Sequence, residues 1–128
     1  MTLTDTIFAV ATPPGRSAIA VIRISGPQAA KAPSIFAAEC PKAGRFKVAR
    51  IFAGSQVIDE VLILYMQAPK SSTGEDVCEF HCHGSTAVVT IVLEKLTNAS
   101  GFRLANPGEF TRRAFMNDKF DLLGIEGF

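Results

Sequence analysis

From Cys78 to His83 the chain alternates apolar and polar side chains, and Val77 to His83 therefore reads as an extended strand. Extension puts Cys78, Phe80 and Cys82 on one face, suited to a core, and Glu79, His81 and His83 on the other. The polar three follow one another in steps of about 6–7 Å. That second face requires water, a partner or a ligand. Gly74 and Gly84 bracket the segment, and glycine permits tight turns and close approach of the backbone to something bound.

The remaining pattern predicts elements on either side of this central strand. Thr6 to Ala11 is a short β-prone run that stops at Thr12-Pro13-Pro14-Gly15-Arg16, and Ala18 to Ser25 is a second strand. The latter is apolar on both faces except at Arg23, which shares its side with Ile19 and Val21 and must be paired or exposed. Ser25-Gly26-Pro27 opens a helix expected to run towards Glu39, with a kink or restarted turn near Pro33. Phe46 to Ala53 and Val57 to Met66 form an antiparallel pair joined by Gly54-Ser55-Gln56, and a polar loop from Ala68 to Gly74 leads into the central strand.

Beyond Gly84, Ser85 or Thr86 caps a helix whose Val88, Val89, Val92, Leu93 and Leu96 recur at three and four spacing, with Gly101 as the stop. Asn106-Pro107-Gly108-Glu109 starts a last helix from Pro107 to about Asn117, expected to bury Phe110 and Ala114. The sum is a single α+β domain with a mixed sheet and about three flanking helices.

Composition narrows the function more than the fold. Thirteen Lys and Arg against twelve Asp and Glu give a net charge of +1, so no global field draws the chain onto nucleic acid or an anionic membrane. Hydrophobic residues make up 48%, with ten Phe, a surplus that an interface could absorb. Three Cys and an N-terminus without a basic then apolar leader point to a reduced, cytoplasmic protein, and no apolar run approaches the roughly 20 residues of a membrane helix.

Cys78, His81, Cys82 and His83 invite zinc, but alternation sends Cys and His to opposite faces. A metal on Glu79, His81 and His83 is easier geometrically and supports an alternative reading, a small one-carbon transferase or metal-dependent enzyme using those three residues. A Cys82 dyad with a neighbouring His is disfavoured because adjacent strand residues point apart, and no P-loop motif is present.

Several blocks carry a family resemblance. Asp5-Thr6-Ile7 with Ala11-Thr12-Pro13-Pro14-Gly15-Arg16, Ile22-Arg23-Ile24-Ser25-Gly26, Thr73-Gly74-Glu75-Asp76, His83-Gly84, and Pro107-Gly108-Glu109-Phe110-Thr111 through Arg113-Ala114-Phe115 to Asn117-Asp118-Lys119 stand in order along the chain. Together they closely resemble the N-terminal domain of the MnmE (TrmE) tRNA-modification GTPases.

The resemblance implies a fold similar to the tetrahydrofolate-binding domain of aminomethyltransferases, 5-formyltetrahydrofolate as one-carbon cofactor, and homodimerisation. It further implies, for the whole family protein, a MnmG (GidA) partner and tRNA wobble-uridine modification. Arg23, Glu79 and Lys119 match the family's folate-contacting positions. Glu79 can accept the paired N–H donors of a pterin, while Arg23 and Lys119 could meet glutamyl carboxylates or the formyl oxygen, in an order left open. Arg23 could equally pair with Asp76 or Glu79 as an internal bridge, and Lys119 could cap the preceding helix.

Two departures accompany the match. Ser85 replaces a typical second Gly, and Leu123-Gly124-Ile125-Glu126-Gly127-Phe128 breaks the family's helical continuation. The expected division is a folate-binding and dimerisation domain over 1–120 and an atypical tail over 121–128. The family's GTPase domain has no counterpart in the sequence, so catalysis by this chain alone is not expected.

Overall fold

The computed structural model describes residues 5–12 and 18–118. A six-stranded mixed sheet runs through it in the order β3-β4-β5-β2-β1-β6. Its strands are β1 (Thr6–Val10), β2 (Ile19–Ser25), β3 (Arg45–Ala53), β4 (Gln56–Met66), β5 (Val77–His83) and β6 (Phe102–Leu104). All pairings are antiparallel except that of β1 with β6. The α+β architecture and the place of Val77–His83 inside the sheet agree with the sequence.

One face carries the core. Phe8, Ile22, Ile24, Ile63, Phe80 and Cys82 point into it, covered by α1, a short 3-10 turn (Ala29–Lys31) continued as Ala32–Ile35, and by α2 (Thr86–Thr97). Helix α2 starts where Ser85 Oγ accepts the N–H of Val88 and buries Val92 and Leu96, as its three and four spacing requires. Phe36 meets Phe80 edge to face, with ring centroids 5.3 Å apart and planes at 79°. Burial on this scale stabilises by roughly 1.5–3 kcal/mol per large apolar side chain.

Four elements differ from the sequence expectation. The helix expected to reach Glu39 ends at Phe36, and Pro33 occupies the first turn of the restarted helix, where a missing N–H costs nothing. Ala37 then takes φ 59° and turns the chain away. Strand β6 was not anticipated: three residues, Phe102 to Leu104, are too short to show a period, and only pairing with β1 makes them a strand. Gly101 turns the chain into that strand after α2 has already ended at Asn98.

Helix α3 (Glu109–Met116) begins two residues later than expected, because Gly108 is its N-cap at φ 75°. Asn106 is therefore not the N-cap that the sequence suggested, and its side chain caps nothing; only the acid's half of the exchange forms, the Asn106 N–H donating to Glu109 Oε1 at 2.9 Å, while the Glu109 N–H donates to the Asn106 backbone carbonyl at 3.0 Å. Its buried side is charged rather than apolar. Glu109, Arg113 and Ala114 are buried, whereas Phe110 is half-buried.

This helix covers the second face of the sheet near β1. Ile7 and Val77 are buried yet lie outside the main core cluster, as expected of residues on the opposite face. Arg113, 2% exposed, donates through Nη1 to the Asp5 carbonyl at 2.9 Å and to both Glu75 oxygens at 3.2 and 3.1 Å. Its Nη2 donates to Asp5 Oδ1 at 2.8 Å and Glu109 Oε2 at 3.3 Å. Arg103 also donates to Asp5 and Glu109, reaching Glu109 Oε1 through Nη1 at 2.8 Å. One cation thus joins the start of β1, the loop before β5 and the last helix.

Removing Arg113 leaves the largely buried Glu75 carboxylate without a cation, since Arg103 reaches only Asp5 and Glu109. Arg113→Met should therefore lower stability by about 3–5 kcal/mol, read from the urea midpoint, where a change under about 1 kcal/mol would remove the network from the architecture. Acid should act through the same groups. Hydrogen bonds from Arg103, outweighing burial, hold Glu109 down at about 2, and Arg103 likewise holds Asp5 below its ordinary range. Because the folded values lie below the unfolded ones, this stabilisation is complete above about pH 5 and is lost as pH falls through the folded values. The urea midpoint should decline steadily from pH 5 to pH 2, and a flat profile would contradict it.

Candidate functional site

Strand register assembles the site. Ala9, Arg23, Glu79, Leu64 and Phe46 are successive partners across β1, β2, β5, β4 and β3, so their side chains share the face opposite the core. The next row, Val21, His81, Leu62 and Val48, lies on the same face. Alternation within β5 is as expected, with Cys78, Phe80 and Cys82 buried and Glu79, His81 and His83 directed the other way. Burial pushes the Cys78 thiol well above its usual range and Cys82 up to about 12, which leaves neither as a ready thiolate.

Arg23 and Glu79 form a cross-strand ion pair, Nε donating to Oε2 at 2.6 Å. Of the two bridges open to Arg23 in the sequence, Asp76 and Glu79, the second forms. Asp76 instead accepts the backbone N–H of Ala68 at 2.8 Å. His81 Nε2 lies 3.0 Å from Glu79 Oε1. Burial, the largest single influence on Glu79, pushes its carboxyl up, and hydrogen bonds from His81 and Arg23 more than reverse this. Glu79 is consequently an ionised acceptor at neutral pH. Its two protein bonds leave about half of a carboxylate's four lone-pair positions, and the Arg23 Nη groups have no protein acceptor among the described residues.

A cavity of about 370 Å³ opens over this pair. Its floor is Arg23 and Glu79, its apolar walls are Leu64, Met66 and Val77, and its rim is Lys70, Ser71 and Ser72. An apolar recess with a few fixed polar groups is the usual make-up of a small-ligand site.

The rim is held from below. Ser71 donates to the Glu75 carbonyl, and the Gly74 N–H donates to Ser71 Oγ at 3.0 Å. Ser25 donates to Glu75 Oε1 at 2.7 Å and shares a 2.8 Å hydrogen bond with the Thr73 hydroxyl. Asn117 Nδ2 donates to the Thr73 carbonyl at 3.1 Å. Where this loop turns in, Gly26 donates its N–H to the Asp76 carbonyl at 2.9 Å, and a Cβ at Gly26 would lie 2.7 Å from Thr6 Cα.

The residues named from sequence are therefore only partly united. Arg23 and Glu79 meet, while Lys119 lies outside the described residues, as do the loop Pro13 to Arg16 and the tail from 121 to 128. The set Glu79, His81 and His83 is divided. His83 Nδ1 is 2.7 Å from Asp59 Oδ1 and its backbone N–H donates to Asp59 Oδ2 at 2.8 Å. No three or more His, Cys, Asp or Glu among the described residues are grouped to hold a metal ion. No helix among the described residues is long and apolar enough to cross a membrane.

Sequence reasoning read the stretch holding Lys70, Ser71 and Ser72 as a polar loop, and assigned Glu75 and Arg113 no role beyond their place in the family blocks. Glu109 and Arg113, four apart on the inner side of a short helix with Ala114, were the available signal for the buried network.

Comparison with known proteins identifies the family of the chain. A family described as GTP-binding protein TrmE N-terminus matches residues 6–119. The tRNA modification GTPase MnmE of Phenylobacterium zucineum is 51% identical over 126 residues, 98% of this chain and 28% of the relative. That of Dinoroseobacter shibae is 46% identical over 96% of this chain and 29% of the relative. The mitochondrial tRNA modification GTPase mss1 of Schizosaccharomyces pombe is 46% identical over 95% of this chain and 25% of the relative. The chain spans little more than a quarter of the length of these curated relatives. With blocks from β1 to α3 matched in order and the fold built from those same blocks, the chain belongs to the TrmE N-terminal family.

Proposed function

We propose that the chain is the folate-binding, homodimerising N-terminal module of a cytoplasmic tRNA-modification GTPase, and that its ligand is 5-formyltetrahydrofolate. The observation that carries this is the Arg23–Glu79 pair on the floor of an apolar cavity. A pterin offers adjacent N–H donors and a flat ring. Glu79 has free lone pairs for the former, and Leu64, Met66 and Val77 supply apolar contact for the latter. When bound, the folate would supply the one-carbon unit.

The chain's own residues bind and orient. Arg23 keeps Glu79 ionised and offers its remaining N–H groups, and the Ser71–Ser72 rim narrows the mouth. Lys119 enters this reading as the third ligand contact by resemblance. GTP hydrolysis, the MnmG-type partner and tRNA belong to the longer family protein.

Dimerisation has a surface available beside the cavity. Phe46 and Val48, 67% and 62% exposed, continue the rows of Glu79 and His81 outward to the edge strand. Apolar side chains so exposed and adjacent are uncommon on monomers and suit contact with a second copy.

Three outcomes are expected. Titration calorimetry of 5-formyltetrahydrofolate should saturate near one ligand per subunit. Glu79→Gln should weaken binding tenfold to hundredfold, about the 1.5–3 kcal/mol of a charged hydrogen bond, with the urea midpoint little changed. Undiminished affinity in that variant would remove Glu79 from the site. In sedimentation, Phe46→Glu combined with Val48→Lys should convert a dimer to monomer, and a dimer that persists unchanged would place the interface elsewhere.

A further inference from the structure

Glu79 is gripped at both oxygens. Arg23 Nε donates to Oε2 at 2.6 Å, and His81 Nε2 lies 3.0 Å from Oε1. A carboxylate held ionised has no proton to give, so the imidazole nitrogen carries the hydrogen and donates. Among the described residues these two are the only side chains that donate to Glu79. His81 does not itself line the cavity. It stands in the neighbouring row, between Val21 and Leu62, and reaches the cavity only through Glu79.

A strand histidine beside a carboxylate could serve merely to satisfy its own ring nitrogen. Two observations give the contact a larger part. Burial pushes the Glu79 carboxyl up, and of the influences that together outweigh it the hydrogen bond from His81 is the largest, ahead of that from Arg23. A carboxylate held by one bond is also free to turn, because the last torsion of a glutamate is broad and roughly two-fold. A donor at Oε2 alone would let Oε1 swing; a second donor on the other oxygen sets the plane of the group.

We propose that His81 is a positioning residue for the ligand: by holding Oε1 it fixes the plane of the Glu79 carboxylate, so that both oxygens accept from two parallel N–H donors at once. The inference rests on the folate reading above, in which a pterin supplies those donors. A ligand that meets a carboxylate already fixed in place binds without the cost of ordering it, an advantage of about three- to tenfold in affinity for one side chain. Arg23 and His81 thus divide the work, each taking one oxygen and leaving the cavity side of both to the ligand.

The test follows 5-formyltetrahydrofolate affinity by calorimetry on the intact chain, with substitutions chosen by where they place a donor. His81→Leu keeps an apolar neighbour for Val21 and Leu62 but removes the donor, and should weaken binding about three- to tenfold with the urea midpoint little changed. His81→Gln carries an amide nitrogen as many bonds from Cβ as Nε2, and should bind within about twofold of the parent. His81→Asn, whose amide nitrogen corresponds to Nδ1, should behave like His81→Leu. The last two variants are both polar amides, so their comparison stands even where leucine disturbs the sheet. In ligand-free protein, the 13C carboxyl resonance of Glu79 should titrate at higher pH in His81→Leu than in the parent, with His81→Gln between them. Equal affinity of the parent, His81→Leu and His81→Asn would overturn the positioning role and leave the folate reading intact. An unshifted Glu79 titration in His81→Leu would overturn it without reference to any ligand. Failure of the parent to bind would defeat the folate reading, and the positioning role with it.

Discussion

Arg113 is the charge on which the second face of the sheet depends. The first face is closed by apolar packing of α1 and α2, which would form against many similar surfaces. The second is closed by a guanidinium with carboxylates from three separate places, Asp5, Glu75 and Glu109. Such an arrangement contributes little net energy after desolvation, but it tolerates few alternatives, because misplacing α3 strands a charge. Its Nε has no hydrogen-bond partner among the described residues, a cost the surrounding carboxylates must offset. The same contacts fix Glu75 and, through it, the loop that rims the cavity.

Register decides the rest of the site. In an antiparallel sheet a slip of one residue sends every side chain to the other face. Here it would bring Arg23 and Glu79 under α2 and expose Phe80 and Ile22. The apolar residues of β2 and β5 therefore hold the ion pair in place without touching it, and the cavity needs no dedicated scaffold beyond the sheet.

The parts legible in the sequence are those with a local physical cause. The β5 alternation, the β3–β4 hairpin and the Ser85 cap each follow from neighbouring residues, and each stands where expected. Strand β6 and the charged inner side of α3 do not, because both arise from contacts with β1, roughly a hundred residues earlier in the chain. The early end of α1 has a different cause: Pro33 permits a fresh first turn, and the positive φ of Ala37 stops it after one more. At the site, the Arg23–Glu79 pairing was one of two bridges the residues allowed. Only the β2–β5 register, in which these two are direct partners, selects it.

Near-neutral net charge excluded a global electrostatic role, yet it carries no information about local fields. Screening in physiological salt confines a charge to about 8 Å, so a ligand at the cavity senses the nearest few side chains and not the sum. On this chain three of the twelve acids, Asp5, Glu75 and Glu109, are drawn into one network, where they neutralise Arg103 and Arg113. Removing three acids and two arginines from the exposed balance leaves the remaining surface more basic than the total. Outside that network, the stretch between Glu39 and Asp59 holds Lys42, Arg45, Lys47 and Arg50 and no acid, so the β3 segment is locally basic. Charge is thereby segregated, inward beside β1 and outward beside β3.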